Sequence, residues 1–163
     1  MKSMEFSRIM PFHLDESQIE EIIPHRKPFR FVNEIVEVEY GKRVVGLLSD
    51  LTEPGYEWVK AHFPSFQVVP GAILLEALAE LGAIGILGLP ENSGKIAVLT
   101  GHDKWRYHKY IIPGERIKLE VEIIRLRTRF GRGRARALKN EEVVATGIID
   151  VALIEKSEFP LNS

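Results

Sequence analysis

The sequence predicts an α+β domain in which antiparallel strands wrap around one buried helix. Three features predict it. Residues 68–90 form a long apolar run, studded with glycine and interrupted by Glu76 and Glu80. That run is too polar for a membrane span and reads as a core helix. Ile117, Leu119, Val121 and Ile123 alternate with Lys118, Glu120 and Glu122, the period-two pattern of a half-buried strand. The chain has 163 residues, which suits one domain with a single core.

Taken in order, residues 1–14 read as an N-terminal extension. Asp15 with Gln18 three positions on has the form of a capping box, with Asp in place of Ser or Thr. Ile19, Ile22 and Ile23 follow at helical spacing, and Pro24 ends the helix. Residues 29–39 read as a strand, and Gly41 and Lys42 turn it into a second strand over 43–49. Residues 51–60 are irregular, with Pro54 and Gly55 as a turn signal. The core helix begins at Pro70 and Gly71, because proline lacks an N–H that a helix start would leave unpaired anyway. Gly82, Gly85 and Gly88 would let a sheet approach closely, and Pro90 closes the element. Residues 95–100, 117–123, 126–138 and 143–154 read as strands, with Gly131 as a turn inside the third. Residues 155–163 form a tail. With no repeat and no linker, residues 1–163 read as a single domain. The helix is apolar all round, so one concave sheet is not expected to cover it, and a dimer would complete the burial.

Composition selects no partner. The chain is 45% hydrophobic and 28% charged, with a net charge of -1, ordinary values for a globular protein. It has no cysteine, which removes thiolate and disulfide chemistry and fits a reducing, cytoplasmic setting. No signal peptide is read at the N-terminus. His13, His102 and His108 show no paired ligand spacing, so no metal is expected.

The chemistry concentrates in AHFPSFQVVPGAILLEALAE, residues 61–80. It places His62 in a Pro- and Gly-bounded loop and Glu76 inside the apolar helix. A buried ionised carboxylate is unfavourable without a partner or a task. An imidazole and a carboxyl group at one apolar site can remove one proton and donate another near neutral pH.

These residues carry a resemblance. His62-Phe63-Pro64, Val69-Pro70-Gly71 and Leu75-Glu76-Ala77-Leu78-Ala79 resemble the signature GHFPxxPVMPGVLxxEALAQ of the FabZ-type β-hydroxyacyl-acyl carrier protein dehydratases, including the fourteen-residue step from His to Glu. Residues 23–29 are similar to that family's LPHRYPFLLVD segment, 100–107 to its GIDKARF segment, and 111–115 to its VVPGD. The motifs are collinear from about residue 19 to 154.

The resemblance implies a hot-dog fold, an antiparallel sheet curled round a long central helix. It implies homodimers, commonly assembled into hexamers as trimers of dimers. It also implies removal of water from a (3R)-3-hydroxyacyl thioester on acyl carrier protein, giving the trans-2-enoyl thioester in fatty-acid-type biosynthesis. His62 would then act as base at C2, and Glu76 of the neighbouring subunit as acid for the leaving hydroxyl. Phe63 and the backbone N–H groups of Gly71 and Ala72 would bind substrate, the latter at the thioester oxygen, where a helix N-terminus favours negative charge. No cofactor is needed.

The surroundings carry further expectations. His25 and Arg26 read as structural, fixing a loop through hydrogen bonds. Glu80, where the resembling family has glutamine, reads either as a carboxylate pair with Glu76 or, more plainly, as facing solvent or an arginine. Arg125, Arg127 and Arg129, then Arg132, Arg134 and Arg136, alternate around Phe130 and Gly131, so each set would share a strand face. The plain reading is a solvated face. The functional one is docking of an acidic carrier protein by Lys104, Arg106, Lys109, Arg132 and Arg134. Nucleic acid fits the net charge poorly.

Ala61 stands in place of the family's glycine, Gln67 in place of proline, and Lys27, Arg30 and Asn33 in place of Tyr, Leu and Asp. The 51–60 segment is about three residues longer than the usual approach, which bears on the mouth of the site. Two rival readings are a hot-dog thioesterase, with Glu76 activating water, and a non-catalytic carrier-binding subunit. The Phe-Pro setting of His62 argues for dehydration.

Overall fold

The computed structural model describes residues 13–159. The rest of the expected extension and tail, residues 1–12 and 160–163, lies outside the described residues. The elements run α1 (Glu16–Ile22), β1 (Val32–Glu39), β2 (Arg43–Leu48), α2 (Gly71–Leu87), β3 (Lys95–Tyr107), β4 (Lys118–Arg127), β5 (Phe130–Lys139) and β6 (Glu142–Glu155). The capping box is present: the Asp15 side chain accepts the Gln18 N–H, and the Gln18 side chain accepts the Asp15 N–H. Leu14 is buried and bridges Ile35, so the last part of the expected extension packs on the fold.

All pairings are antiparallel, in the order β1-β2-β4-β5-β6-β3. α2 touches all six strands. A flat sheet of six strands at about 4.8 Å spacing is roughly twice as wide as a helix, so the sheet must curl around α2. This is the hot-dog arrangement the motifs imply.

Small residues make the close approach feasible. The inner face of β5 is Gly131, Gly133, Ala135 and Ala137, all buried, while Arg132, Arg134 and Arg136 point outward. A Cβ on Gly131 would lie 2.6 Å from the Ile86 methyl group of α2, and one on Gly133 2.8 Å from a Val121 methyl group. Gly131 is therefore a packing position inside β5. The turn expected there lies at Thr128 and Arg129 instead, between β4 and β5. β3 also extends past the expected Thr100, through the polar stretch to Tyr107, because it is an edge strand paired only with β6.

α2 is covered more fully by its own chain than its composition suggests. Leu74, Ala77–Leu81 and Ala83–Leu87 are buried within one protomer. The open part is its first two turns, where Ala72 is exposed and Ile73, Leu75 and Glu76 are half-buried. Among the described residues, no helix is long and apolar enough to cross a membrane.

Candidate active site

His62 follows a 3-10 turn, Glu57–Ala61. Its N–H donates to the Val59 carbonyl at 3.0 Å, and its carbonyl accepts the Val68 N–H at 2.8 Å. Phe63 and Phe66 exchange backbone bonds of 3.1 Å, closing a tight loop. Val69 N–H donates to Ile111 at 2.9 Å and ties that loop to the segment after β3. Ala61 ends the 3-10 turn and does not have a positive φ, so alanine fits where a glycine stands in the resembling motif.

The imidazole is oriented by its own loop. Nδ1 lies 3.0 Å from the Val68 carbonyl. A carbonyl only accepts, so Nδ1 carries the proton and, in the neutral ring, Nε2 keeps the free lone pair. The Phe63 ring stacks on the imidazole at 4.3 Å between centroids. His62 opens into a cleft of about 570 Å³ that Val69, Gly71, Ala72, Leu74, Tyr107, Lys109 and Tyr110 also line. The start of α2 borders this cleft, and Pro70 caps it with no side-chain bond, so the first N–H groups of the helix lack helical partners. Gly71 lies close to Tyr107: a Cβ there would be 2.7–3.0 Å from that ring. None of residues 51–60 lines the cleft. Tyr56 from that segment is buried and donates to the Arg30 carbonyl at 2.5 Å.

Glu76 does not line the His62 cleft of the same protomer. Its Oε1 lies 3.4 Å from Nε2 of His25. That pairing holds His25 above the usual imidazole range, against the opposing effect of burial. His25 therefore does more than fix a loop. Arg26 behaves as expected, donating to the carbonyls of Ile23, His25 and Glu20.

Glu80 does not face solvent or an arginine. It is 1% exposed, and its Oε2 accepts the N–H groups of Phe31 (2.8 Å) and Val32 (3.1 Å). Burial is the leading cause that raises its carboxyl group to about 7, with the nearby Glu76 charge adding to the rise. Single ligand-type atoms of His25, Glu76 and Glu80 all lie within 4.8 Å of one another. One Glu80 oxygen is already taken by two N–H donors and burial disfavours the charged form of that carboxyl group, which makes the trio a poor cage for a cation. Histidine spacing along the chain does not reveal this trio. The available signal was a carboxylate in a family glutamine position, one helical turn from Glu76.

The basic residues divide. Arg132 pairs with Asp150 at 2.7–2.9 Å, and Arg134 with Glu122 at 2.7 Å. Arg136 pairs with Glu120 at 2.6–2.7 Å. This is a ladder of outward cross-strand ion pairs. Lys109 lines the cleft and pairs with Glu142 at 2.6 Å. Lys104 and Arg106 are exposed on β3.

Residues 23–148 match the FabA-like domain. The chain is 44% identical over 145 residues to the 3-hydroxyacyl-[acyl-carrier-protein] dehydratase FabZ of Bacillus cytotoxicus, covering 89% of this chain and 99% of that one. It is 42% identical over 146 residues to the FabZ of Moorella thermoacetica, covering 89% and 100%. Among solved structures it resembles the dehydratase heterocomplex ApeI:P of Xenorhabdus doucetiae, with a TM-score of 0.70, 14% identity and coverage of 93% and 95%. It also resembles Cj0977, a sigma28-regulated virulence protein of Campylobacter jejuni, with a TM-score of 0.64, 14% identity and coverage of 87% and 92%. At such identities these two structures speak to the fold alone. The sequence relationships go further: this chain belongs to the FabA-like family, among its FabZ-type 3-hydroxyacyl-[acyl-carrier-protein] dehydratases.

Proposed function

We propose that the chain dehydrates (3R)-3-hydroxyacyl chains on acyl carrier protein to the trans-2-enoyl form, as a hydro-lyase of fatty-acid-type biosynthesis in the cytoplasm. The observation that carries the assignment of roles is the orientation of His62. Its Nδ1 proton is committed to Val68, which leaves Nε2 to take the C2 proton of a thioester in the cleft. Charge then develops on the thioester oxygen, and the unpaired N–H groups of Gly71 and Ala72 are the donors for it. Phe63 holds the imidazole plane by stacking.

The acid is Glu76, supplied by a second copy of the chain. Two observations support this reading. Glu76 of the same protomer is absent from the cleft lining, and the surface beside His62 is unusually apolar, with Phe63, Phe66, Tyr110 and Ile112 all at least 40% exposed. A homodimer would cover such a patch, and three dimers would form the hexamer. The carrier protein would meet Lys104 and Arg106, with Lys109 at the cleft itself already paired with Glu142. Arg132 and Arg134 are already neutralised by carboxylates and contribute less.

The test offers purified protein a series of 3-hydroxyacyl and plain acyl carrier-protein thioesters, with the products followed by mass. Loss of one water is expected. His62→Ala and Glu76→Gln should each lower turnover by at least about 100-fold while the circular dichroism spectrum persists. Free thiol from plain acyl substrates without enoyl product would make the chain a thioesterase. Carrier binding without turnover would make it a non-catalytic subunit.

A further inference from the structure

Tyr107 lines the His62 cleft and has no part in the reaction as proposed above. The GIDKARF segment, which residues 100–107 resemble, ends in phenylalanine where this chain has that tyrosine. We infer that the Tyr107 hydroxyl is a third donor to the thioester oxygen, acting beside the N–H groups of Gly71 and Ala72. This rests on the dehydration reading above and deepens it by one catalytic residue.

β3 ends at Tyr107 and α2 begins at Gly71, and the two termini meet at the cleft. The ring approaches Gly71 by its hydroxyl end. The atoms nearest to a Cβ on Gly71 would be Cζ at 2.7 Å and the two Cε atoms at 2.9 and 3.0 Å. Cζ carries the oxygen, so the phenol O–H sits at the first turn of α2, where the backbone N–H groups have no helical partner. His62 lines the same cleft. A thioester that offers its C2 proton to Nε2 therefore has its oxygen, one carbon away, within this group of donors.

Trp105 backs the hydroxyl. It lies two positions before Tyr107 on β3 and so projects to the same face, with the rings edge-on at 6.0 Å between centroids. Its own ring rests directly against Gly147 of β6. The indole N–H is buried without a hydrogen-bond partner. Burial holds the Tyr107 phenol above its ordinary range, and the Trp105 N–H opposes that rise. A group that favours negative charge on the phenol oxygen also makes its O–H a stronger donor. With a donor on one side, the hydroxyl is left to give its proton on the other. In the free protein water can take it, since Tyr107 is 50% exposed. A bound thioester would replace that water.

The gain belongs to the transition state. A thioester carbonyl is a weak acceptor, whereas the oxygen that carries charge as the C2 proton leaves is a strong one. Removing the hydroxyl should therefore lower kcat more than it changes KM.

Tyr107→Phe makes that test, because it keeps the ring against Gly71. On a 3-hydroxyacyl carrier-protein thioester, kcat should fall about tenfold while KM changes by less than about twofold. A plain acyl carrier-protein thioester with an isotope-labelled carbonyl gives a second reading. Its infrared carbonyl band, when bound, should lie at higher frequency in the variant, which has one hydrogen bond fewer. In the wild type alone, the Tyr107 Cζ resonance should shift when that thioester binds, and this reading does not depend on the variant folding. An unchanged kcat overturns the inference, as does a rise in KM alone, which is what a ring that only shapes the cleft would give. A carbonyl band at the same frequency in both proteins overturns it, and so does a Cζ resonance that ignores the thioester. Wild-type protein forming no enoyl product sinks the dehydration reading and this inference together. Normal turnover with equal kcat in both proteins sinks the inference alone.

Discussion

The protons of His62 and Glu80 are governed by their neighbours. The Val68 carbonyl selects the His62 tautomer, and burial raises the Glu80 carboxyl group to about 7 against the opposing effect of the β1 N–H groups. Glu80 also has a stability signature. Its carboxyl group is raised from 4.5 to about 7 in the folded chain. A raised carboxyl makes the folded state bind more protons than the unfolded one, so the stabilisation is complete below 4.5 and is lost as the pH climbs through about 7. The loss is on the order of 3 kcal/mol. The raised His25 acts in the same direction above its ordinary range. Urea denaturation at acidic and at mildly alkaline pH should therefore show a clear fall in wild-type stability and a much smaller one in Glu80→Gln. Gly71 gives a second test at this scale. A methyl group there meets the Tyr107 ring, but that ring is half exposed and can move. Gly71→Ala should cost less than about 1 kcal/mol in stability yet lower kcat/KM by roughly tenfold, because the displaced ring lines the cleft.

At the scale of elements, α2 and the inner face of β5 specify each other. Glycine and alanine along β5 let the helix seat inside the curled sheet, while the outer face of the same strand carries Arg132, Arg134 and Arg136 in cross-strand pairs. Gly133→Val should therefore destabilise by about 1–3 kcal/mol through overpacking against Val121, measurable as a lower denaturation midpoint with an unchanged slope. Most of this level was legible in the sequence. Both helices and the β1–β2 turn follow from capping, proline and glycine signals, and β4 from its alternation. The misplaced turn at Gly131 has a physical cause. Glycine serves both turns and close packing, and nothing local tells which until the Ile86 side chain of α2 is seen against it.

The whole molecule sets a different constraint. One protomer orients His62 at a cleft and holds Glu76 elsewhere, against His25. If two copies complete each site, a mixture of His62→Ala and Glu76→Gln, unfolded and refolded together, should recover about a quarter of wild-type activity. Half of the random dimers would then be mixed, each with one intact site. Either variant alone should stay inactive. An inactive mixture, with mixed dimers shown by mass spectrometry, would place both groups in one chain.

The sequence by itself determined the class of fold, the buried helix and the two side chains proposed to react. All three are written in short-range periodicity and in motif spacing along the chain. Only the tertiary structure decided which groups surround those side chains. Phe31 and Glu80 are 49 positions apart, and His25 reaches Glu76 across the fold. Contacts of that kind leave no local pattern in the chain, because they arise when the sheet curls around α2 and brings the start of β1 and the loop before it onto one face of the helix.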